Sequence, residues 1–200
     1  MAQAAQAPGR LERRKARTRA AIVAAAAELF QTRGYDATSI QQIAERADTG
    51  VGTLYGYFAS KDDILREVLF EARGQVLARY LATIDSRTTS IDRLCLALET
   101  LGVYLRNNRR LLMAVFQAAV RDRPVDEEQA QWLYDQYAEI ISEGIARREL
   151  RAVPLDAAVR MLVTTYMTAW LGVGAWKGRE DDPALPGELE QLVRAMLVPA

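Results

Sequence analysis

Apolar residues recur along the chain at intervals of three and four, the spacing that brings them to one face of an α-helix. The first such run lies between Leu11 and Arg33, and Gly34 follows it as a residue type that commonly ends helices. No segment keeps the apolar–polar alternation that indicates a half-buried β-strand. We therefore predict an all-α protein of about nine helices.

Two short helices joined by a tight turn are predicted next. The first begins near Ser39, because Ser39 and Gln42 have the spacing of a capping box. Residues 48–50, Asp-Thr-Gly, break it, and the second short helix is expected over Val51–Phe58. The apolar positions of the two helices, which we expect to pack on the first long helix, are Ile40, Ile43, Ala44, Ala47, Leu54 and Phe58.

A fourth helix is predicted to begin after Ser60, a residue type that caps helix N-termini, and to extend past Tyr80. Five further helices follow. The breaks between them are expected at Ser86–Ser90, Asn107–Asn108, Arg123–Pro124, Ala152–Pro154 and Gly178–Gly187. No flexible linker divides the chain, so we place the domain boundary inside the fourth helix. Residues 1–70 then form one domain and residues 71–200 the other.

Charge is balanced over the whole chain but not along it. Residues 1–61 hold nine basic and five acidic residues, a net charge of +4, and residues 62–200 hold seventeen and twenty-one, a net charge of −4. Basic residues are densest between Arg10 and Arg19, where Arg14 and Lys15 lie. We interpret this segment as an arm that binds phosphates, although a solvated tail has the same composition.

The residue types that are scarce narrow the possible functions. The chain has one cysteine, Cys95, and no histidine, so neither an internal disulfide nor a zinc site is expected. No catalytic or cofactor-binding motif is found, and we expect no enzyme activity, cofactor or metal. The first residues lack the apolar core of a signal peptide, and the longest charge-free stretch, Met161–Trp176, is short for a membrane span. We expect a cytoplasmic protein.

The most informative segment covers residues 38–61, where two short helices meet at a glycine-containing turn. This is the arrangement of a helix-turn-helix. The free surface of its second helix carries small and hydroxyl-bearing residues and no charge, which suits close approach to DNA bases. Those residues are Val51, Gly52, Thr53, Tyr55, Gly56 and Tyr57. A plain helical hairpin with its tyrosines in the core is the alternative interpretation.

In this region the sequence resembles the DNA-binding domain of the TetR (tetracycline-repressor-like) family, over about residues 11–70. The resemblance is specific because many positions agree in order and spacing. The matching residues are Thr18, Arg19, Ile22, Ala26, Phe30, Gly34, Tyr35, Thr38, Ile43, Ala44, Ala47, Gly52, Thr53, Leu54, Tyr55, Tyr57, Phe58, Ser60 and Lys61. One departure is Asp48, which stands where the family usually has the turn glycine; Asp tolerates left-handed backbone, so we expect the turn to form.

The resemblance implies roles for individual residues. The third helix would enter the major groove, with Val51, Gly52, Thr53 and Tyr55 at or near bases and Gly56 and Tyr57 alongside. Thr38, with Ser39 beside it, and Lys61 would contact phosphates at the starts of the second and fourth helices.

For residues 71–200 the resemblance implies a helical regulatory domain with a ligand cavity and a dimer interface built from its last two helices. The final helix has Leu189, Leu192, Val193, Met196 and Leu197 along one face. Large, adaptable side chains in the middle helices suit an apolar ligand, although each could equally be ordinary core. These cavity candidates are Tyr104, Met113, Phe116, Trp132, Tyr137, Tyr166, Met167 and Trp170.

Together these features predict a sequence-specific, homodimeric transcriptional regulator. Its expected mode of action is repression at a palindromic operator, relieved by a small, largely apolar ligand. Two alternatives stay open at this point. One is an all-helical enzyme or carrier that uses the apolar cavity, and the other is a constitutive DNA-binding protein without ligand control.

Overall fold

The computed structural model describes residues 9–114, 127–172, 178 and 181–199, the side chains of residues 127–130 excepted. Within these ranges the regular secondary structure is helical, and the predicted all-α class is confirmed. Residues 109–114 are helical as well, which brings the number of helices in the described ranges to the predicted nine. The eight helices with both ends described are α1 (Arg10–Arg33), α2 (Ile40–Arg46), α3 (Val51–Tyr55), α4 (Lys61–Thr83), α5 (Ser90–Asn107), α6 (Glu127–Ala146), α7 (Leu155–Leu171) and α8 (Leu185–Leu197).

The chain divides into two compact units, one ending at Glu71 and the other beginning at Ala72. The division falls within α4, which continues through it without a break. Each unit has a hydrophobic core of its own.

The core of the first unit forms around one stripe of α1. Its buried residues recur at helical spacing because only one side of α1 faces other helices. They are Ile22, Val23, Ala25, Ala26, Leu29 and Phe30. α2 packs against α1 and α3, and Ile43, Leu54 and Phe58 are buried as predicted. Burying each of these side chains stabilises the fold by about 1.5–3 kcal/mol.

Local turn chemistry sets where the short helices begin and end. Gly34 ends α1 with φ of 89°, a positive value that glycine adopts more easily than other residues. The capping box at α2 is formed: the Gln42 N–H donates to Ser39 Oγ at 3.2 Å, and the Ser39 N–H donates to Gln42 Oε1 at 2.9 Å. Asp48 has φ of 49°, so the turn adopts left-handed backbone at the aspartate, as we expected from its residue type.

In the second unit, α5 is the central helix and packs against α6, α7 and α8. Two ion pairs fix it to its neighbours: Arg194 of α8 lies 2.7 Å from Asp92, and Arg93 lies 2.7 Å from Glu143 of α6. The buried residues that α5 contributes to the core are Ile91, Leu94, Cys95, Leu98 and Leu105.

The last two helices differ from their predicted bounds. α7 ends at Leu171, before the break that we predicted to begin at Gly178, because Gly172 adopts a left-handed conformation with φ of 64° and caps the helix. α8 begins at Leu185, inside the predicted break, because Pro186 in the first turn of a helix is favourable. The predicted break at Arg123–Pro124 lies outside the described residues. In the ranges given above, no helix is both long and apolar enough to cross a membrane.

Candidate functional site

α3 presents a short, uncharged surface to solvent. Leu54 is 0% exposed and fixes the helix to the core of the first unit, while Gly52, Thr53 and Tyr55 are exposed. Tyr55 is 53% exposed, a large value for an aromatic side chain in a compact unit. Val51 is half-buried. The residues that we predicted to lie at or near DNA bases are therefore together on one accessible helix. The alternative interpretation, with Tyr55 in the core, is wrong.

α3 is shorter than the predicted Val51–Phe58. The hydrogen bonds at its end join residues three apart: the Gly56 N–H donates to Thr53 O at 3.0 Å, and the Tyr57 N–H donates to Leu54 O at 2.9 Å. Phe58 is buried, which draws the chain inward directly after the helix. Gly56 and Tyr57 thus belong to the turn that follows α3, where Gly56 is exposed and Tyr57 half-buried.

Lys61 ties the start of α4 to the loop between α1 and α2. Its Nζ donates to the carbonyl oxygen of Tyr35 at 2.9 Å and to that of Thr38 at 3.0 Å. The Tyr35 hydroxyl in turn donates to the carboxylate of Asp62. Burial, reinforced by this hydrogen bond, raises the pKa of the Tyr35 hydroxyl. An ammonium group has three N–H donors, so Lys61 retains one for a further acceptor.

Thr38 and Ser39 occupy different environments although they are adjacent. Thr38 is 2% exposed, and its hydroxyl donates to the carbonyl oxygen of Gly34 at 2.8 Å. The structure therefore places the Thr38 side chain inside the unit and not on a phosphate-facing surface. Ser39 is exposed at the start of α2, and its Oγ accepts the Gln42 N–H, which leaves its own hydroxyl hydrogen available.

The basic segment forms the first turns of α1. Arg13, Arg14, Lys15 and Arg17 are exposed along these turns. Arg19 differs from them, because it forms an ion pair with Glu67 and its guanidinium carbon lies 5.1 Å from the ring centre of Phe58. The exposed cations of this segment thus precede Arg19. The Arg19 side chain instead packs within the first unit, against Glu67 and Phe58.

The second unit contains a cavity of about 150 Å³ formed by α5, α7 and the start of α8. Of the predicted ligand-binding residues, Tyr166 and Trp170 line it. The sequence-based prediction missed the other lining residues, which are Cys95, Glu99, Gly102, Val103, Arg106, Pro186, Gly187 and Glu190. Five of these lie on α5 and recur at helical spacing, which was the available signal, but a selection of large apolar side chains passed over them.

The remaining ligand candidates lie elsewhere. Tyr137 is buried in the core, and its hydroxyl donates to Ala97 O at 3.0 Å. Trp132 is half-buried, with the guanidinium carbon of Arg73 4.7 Å from its ring centre. Phe116 lies outside the described residues. The half-buried candidates that pack against the core of the second unit are Tyr104, Met113 and Met167.

Comparison with known proteins identifies the first unit. Residues 22–68 match the family described as bacterial regulatory proteins, tetR family. The fatty acid metabolism regulator protein of Bacillus subtilis is 34% identical over 77 residues, which cover 38% of this chain and 40% of that protein. The transcriptional repressor KstR2 of Mycolicibacterium smegmatis is 25% identical over 169 residues, 76% of each chain.

A solved structure extends the likeness in fold to both units. The transcriptional regulator FadR from Bacillus subtilis, in complex with stearoyl-CoA, aligns with a TM-score of 0.67 at 24% identity. The alignment covers 87% of this chain and 96% of that one. Residues 22–68, the segment that matches the family, contain α2, α3 and the start of α4. These helices carry the exposed surface described above. Over residues 22–68 this chain is therefore similar to the tetR family of bacterial regulatory proteins.

Proposed function

We propose that this protein is a transcriptional repressor that reads an operator through α3 and is released from it by a small ligand. The observation that carries the proposal is the surface of α3, where Thr53 and Tyr55 are exposed beside the fully buried Leu54. A threonine methyl or hydroxyl can contact base edges in the major groove. A tyrosine hydroxyl can bind a base or a phosphate. Neither side chain carries a charge that would have to be desolvated on docking.

Three groups supply the proposed phosphate contacts. The exposed cations of α1, including Arg14 and Lys15, provide charge that is independent of sequence. Ser39 offers its hydroxyl hydrogen at the start of α2. Lys61 offers its third N–H while its other two hold Tyr35 and Thr38. We assign the contact at α2 to Ser39 and not to the side chain of Thr38, which is buried.

We further propose that the protein acts as a homodimer on a palindromic operator. α7 and α8 expose large apolar side chains: Met161 is 50% exposed and Leu192 is 67% exposed. Two helices that each leave apolar surface in water can cover it by packing against the same helices of a second copy. A two-fold dimer would present two copies of α3 to half-sites about one helical turn apart.

Ligand control is proposed from the cavity of the second unit, which Tyr166 and Trp170 line. The complex of FadR with stearoyl-CoA supports the proposal, since it shows a ligand bound to a protein of this fold. Ligand and operator would be coupled if the ligand binds one conformation of the dimer better than the other.

Selection of bound duplexes from a random DNA pool tests the DNA-reading part directly. The expected result is enrichment of one two-fold symmetric motif that the protein protects from cleavage. The matched control is the variant Tyr55→Ala, which should retain non-specific binding and lose enrichment of the motif. Failure of the wild-type protein to enrich any motif would contradict sequence-specific regulation and favour a carrier or enzyme that uses the cavity.

A further inference from the structure

The exposed surface of α3 offers none of the side-chain groups that most often distinguish guanine, adenine or cytosine. Guanine is read by arginine or lysine, adenine by asparagine or glutamine, and cytosine by aspartate or glutamate. Residues 51–57, which form α3 and the turn after it, contain none of these residue types. The base that side chains read by apolar contact is thymine, through the methyl group on its C5 atom.

Charged and amide side chains near α3 are paired or lie on other elements. Arg46 of α2 forms an ion pair with Glu28 at 2.6 Å. Gln41, Glu45 and Asp48 are exposed, but they lie on α2 or in the turn that precedes α3. Any base contact that α3 itself makes therefore comes from its methyl groups, its hydroxyl groups and its main chain.

Gly52 leaves a notch in the surface of α3. It is exposed in the first turn, and a Cβ atom there would meet nothing within 4 Å. Gly52 also lacks the positive φ that favours glycine. Gly56 differs, because a Cβ atom there would lie 3.1 Å from Thr53 O. Glycine lowers helix stability relative to alanine, and no contact within the described part of the protein requires it at position 52.

Two exposed side chains lie beside this notch. Tyr55 follows Gly52 by three residues, so both lie on one face of α3, and the side chain of a helical residue leans toward the preceding turn. Thr53 is the next residue after Gly52 and carries a methyl group. Carbon atoms in contact lie about 3.5–4 Å apart, so a methyl group from outside the protein can occupy the place of the missing Cβ atom.

We propose that α3 reads the C5 methyl group of a thymine, which enters the notch at Gly52 between the Tyr55 ring and the Thr53 methyl group. The inference rests on the proposed function, in which α3 enters the major groove, and it names the base that each copy of α3 recognises. The C5 methyl group lies in the major groove. Its recognition needs neither a charge nor a set of N–H donors, which matches the residues that α3 presents.

Uracil in place of thymine removes this methyl group and keeps the base pair. The duplex motif that the full-length protein enriches from a random pool is synthesised with 2′-deoxyuridine at one thymidine position at a time. Anisotropy titration at one fixed salt concentration measures each Kd. At one equivalent position of each half-site, uracil should weaken binding by about fourfold, and by about sixteenfold when both half-sites carry it. Other thymines should change the Kd by less than about twofold.

Exchange of the methyl group between base and protein locates the contact. Gly52→Ala adds a methyl group at the notch, so it should weaken binding to the thymine motif by at least about fivefold and should prefer the uracil duplex. Its urea midpoint should not fall, because the added Cβ meets nothing within 4 Å. Gly74→Ala is the matched control, since Gly74 is an exposed glycine of α4 with the same open space. It should prefer thymine as wild type does.

The possible outcomes separate this inference from the proposed function. Half-sites without thymine, or binding that no uracil substitution weakens, would overturn the thymine contact and leave sequence-specific DNA binding intact. These two tests use the wild-type protein alone. An unchanged preference for thymine in Gly52→Ala would overturn the notch as the site. If the wild-type protein enriches no motif at all, the proposed function fails, and this inference fails with it.

Discussion

The Lys61 ammonium group donates a hydrogen bond to the carbonyl oxygen of Tyr35 at 2.9 Å and lies 4.1 Å from the centre of the Tyr35 ring. Both contacts connect the first residue of α4 to the loop between α1 and α2. Lys61 also donates to Thr38 O at 3.0 Å, so it holds this loop at two points. A residue at a proposed phosphate contact thus also stabilises the unit that presents α3.

Replacement of Lys61 should therefore affect folding as well as DNA binding. Lys61→Met keeps most of the aliphatic stem and removes two charge-assisted hydrogen bonds, which should lower the free energy of unfolding by about 1–2 kcal/mol. Urea denaturation measures this change. Lys15→Met is the control, because Lys15 is exposed on α1, and it should change stability by less than about 0.5 kcal/mol. If Lys61→Met is as stable as wild type, Lys61 does not stabilise the first unit, and phosphate binding is the one proposed role that is left for it.

Features that depend on neighbours in sequence were predictable. The capping box of Ser39 and Gln42 is a contact between residues three apart, and the left-handed Asp48 follows from its residue type in a turn. The burial of Thr38 was not predictable in this way, because its hydroxyl is satisfied by Gly34 O in the packed loop. The end of α3 likewise depends on where tertiary packing places Phe58.

The cavity in the second unit was the least predictable feature. It forms where α5 meets α7 and the start of α8, and helix packing decides which side chains face it. Selection of large apolar residues found Tyr166 and Trp170 but missed Gly102, whose importance lies in the side chain that it lacks. It also missed Arg106, because an arginine on a mostly apolar helix is normally assigned to solvent.

The ion pair between Arg19 and Glu67 should make the first unit sensitive to acid. The Arg19 hydrogen bond lowers the pKa of Glu67 below its usual range. A folded pKa below the unfolded value means that the stabilisation is complete above about pH 4.3 and is lost as the pH falls through the folded value. Glu67→Gln should reduce stability at pH 7 by roughly 0.5–1 kcal/mol, because Arg19 is partly exposed.

Urea denaturation at pH 7, 5 and 3.5 measures the contribution of Glu67. The difference between Glu67→Gln and wild type should shrink at the lowest pH, where protonation of Glu67 begins to remove the same ion pair from wild type. Glu45→Gln is the control, since Glu45 is exposed on α2, and it should match wild type throughout. A Glu67→Gln variant that is as stable as wild type at pH 7 would show that the pair contributes nothing measurable.

The proposed dimer should dissociate when charges are placed on α7 and α8. Met161 and Leu192 are suitable positions because both are exposed, so glutamate there should not disturb the fold of one subunit. Met196 is less suitable, because it is half-buried against the core. Light scattering should report a monomer for the double variant Met161→Glu, Leu192→Glu. Leu81→Glu, at an equally exposed leucine of α4, should remain dimeric, and a dimeric double variant would refute the interface.

The exposed cations of α1 should contribute affinity and not specificity. Replacing Arg13, Arg14 and Lys15 by alanine should reduce the salt dependence of DNA binding by about 0.9 per lost phosphate contact per subunit. Fluorescence anisotropy over a range of salt concentrations measures the slope. Arg87→Ala, which removes an exposed arginine of the second unit, should leave it unchanged. An unaltered slope in the triple variant would identify the basic segment as a solvated helix end.

Discrimination between operator and other DNA should depend on Thr53 and Tyr55. Both side chains are exposed on α3 and have no hydrogen-bond partner within the described part of the chain, so alanine should leave folding intact. Each lost base contact should cost about 1–3 kcal/mol on the operator and little on scrambled DNA. Anisotropy titrations of both DNAs at one fixed salt concentration measure the difference.

A second variant separates base reading from phosphate binding. Lys15→Ala should weaken binding to operator and scrambled DNA by the same factor, because phosphates carry no sequence information. Thr53→Ala and Tyr55→Ala should instead bring the operator affinity toward that of scrambled DNA. If both α3 variants bind the two DNAs as wild type does, α3 is not the recognition helix, and another exposed surface of the first unit must read the operator.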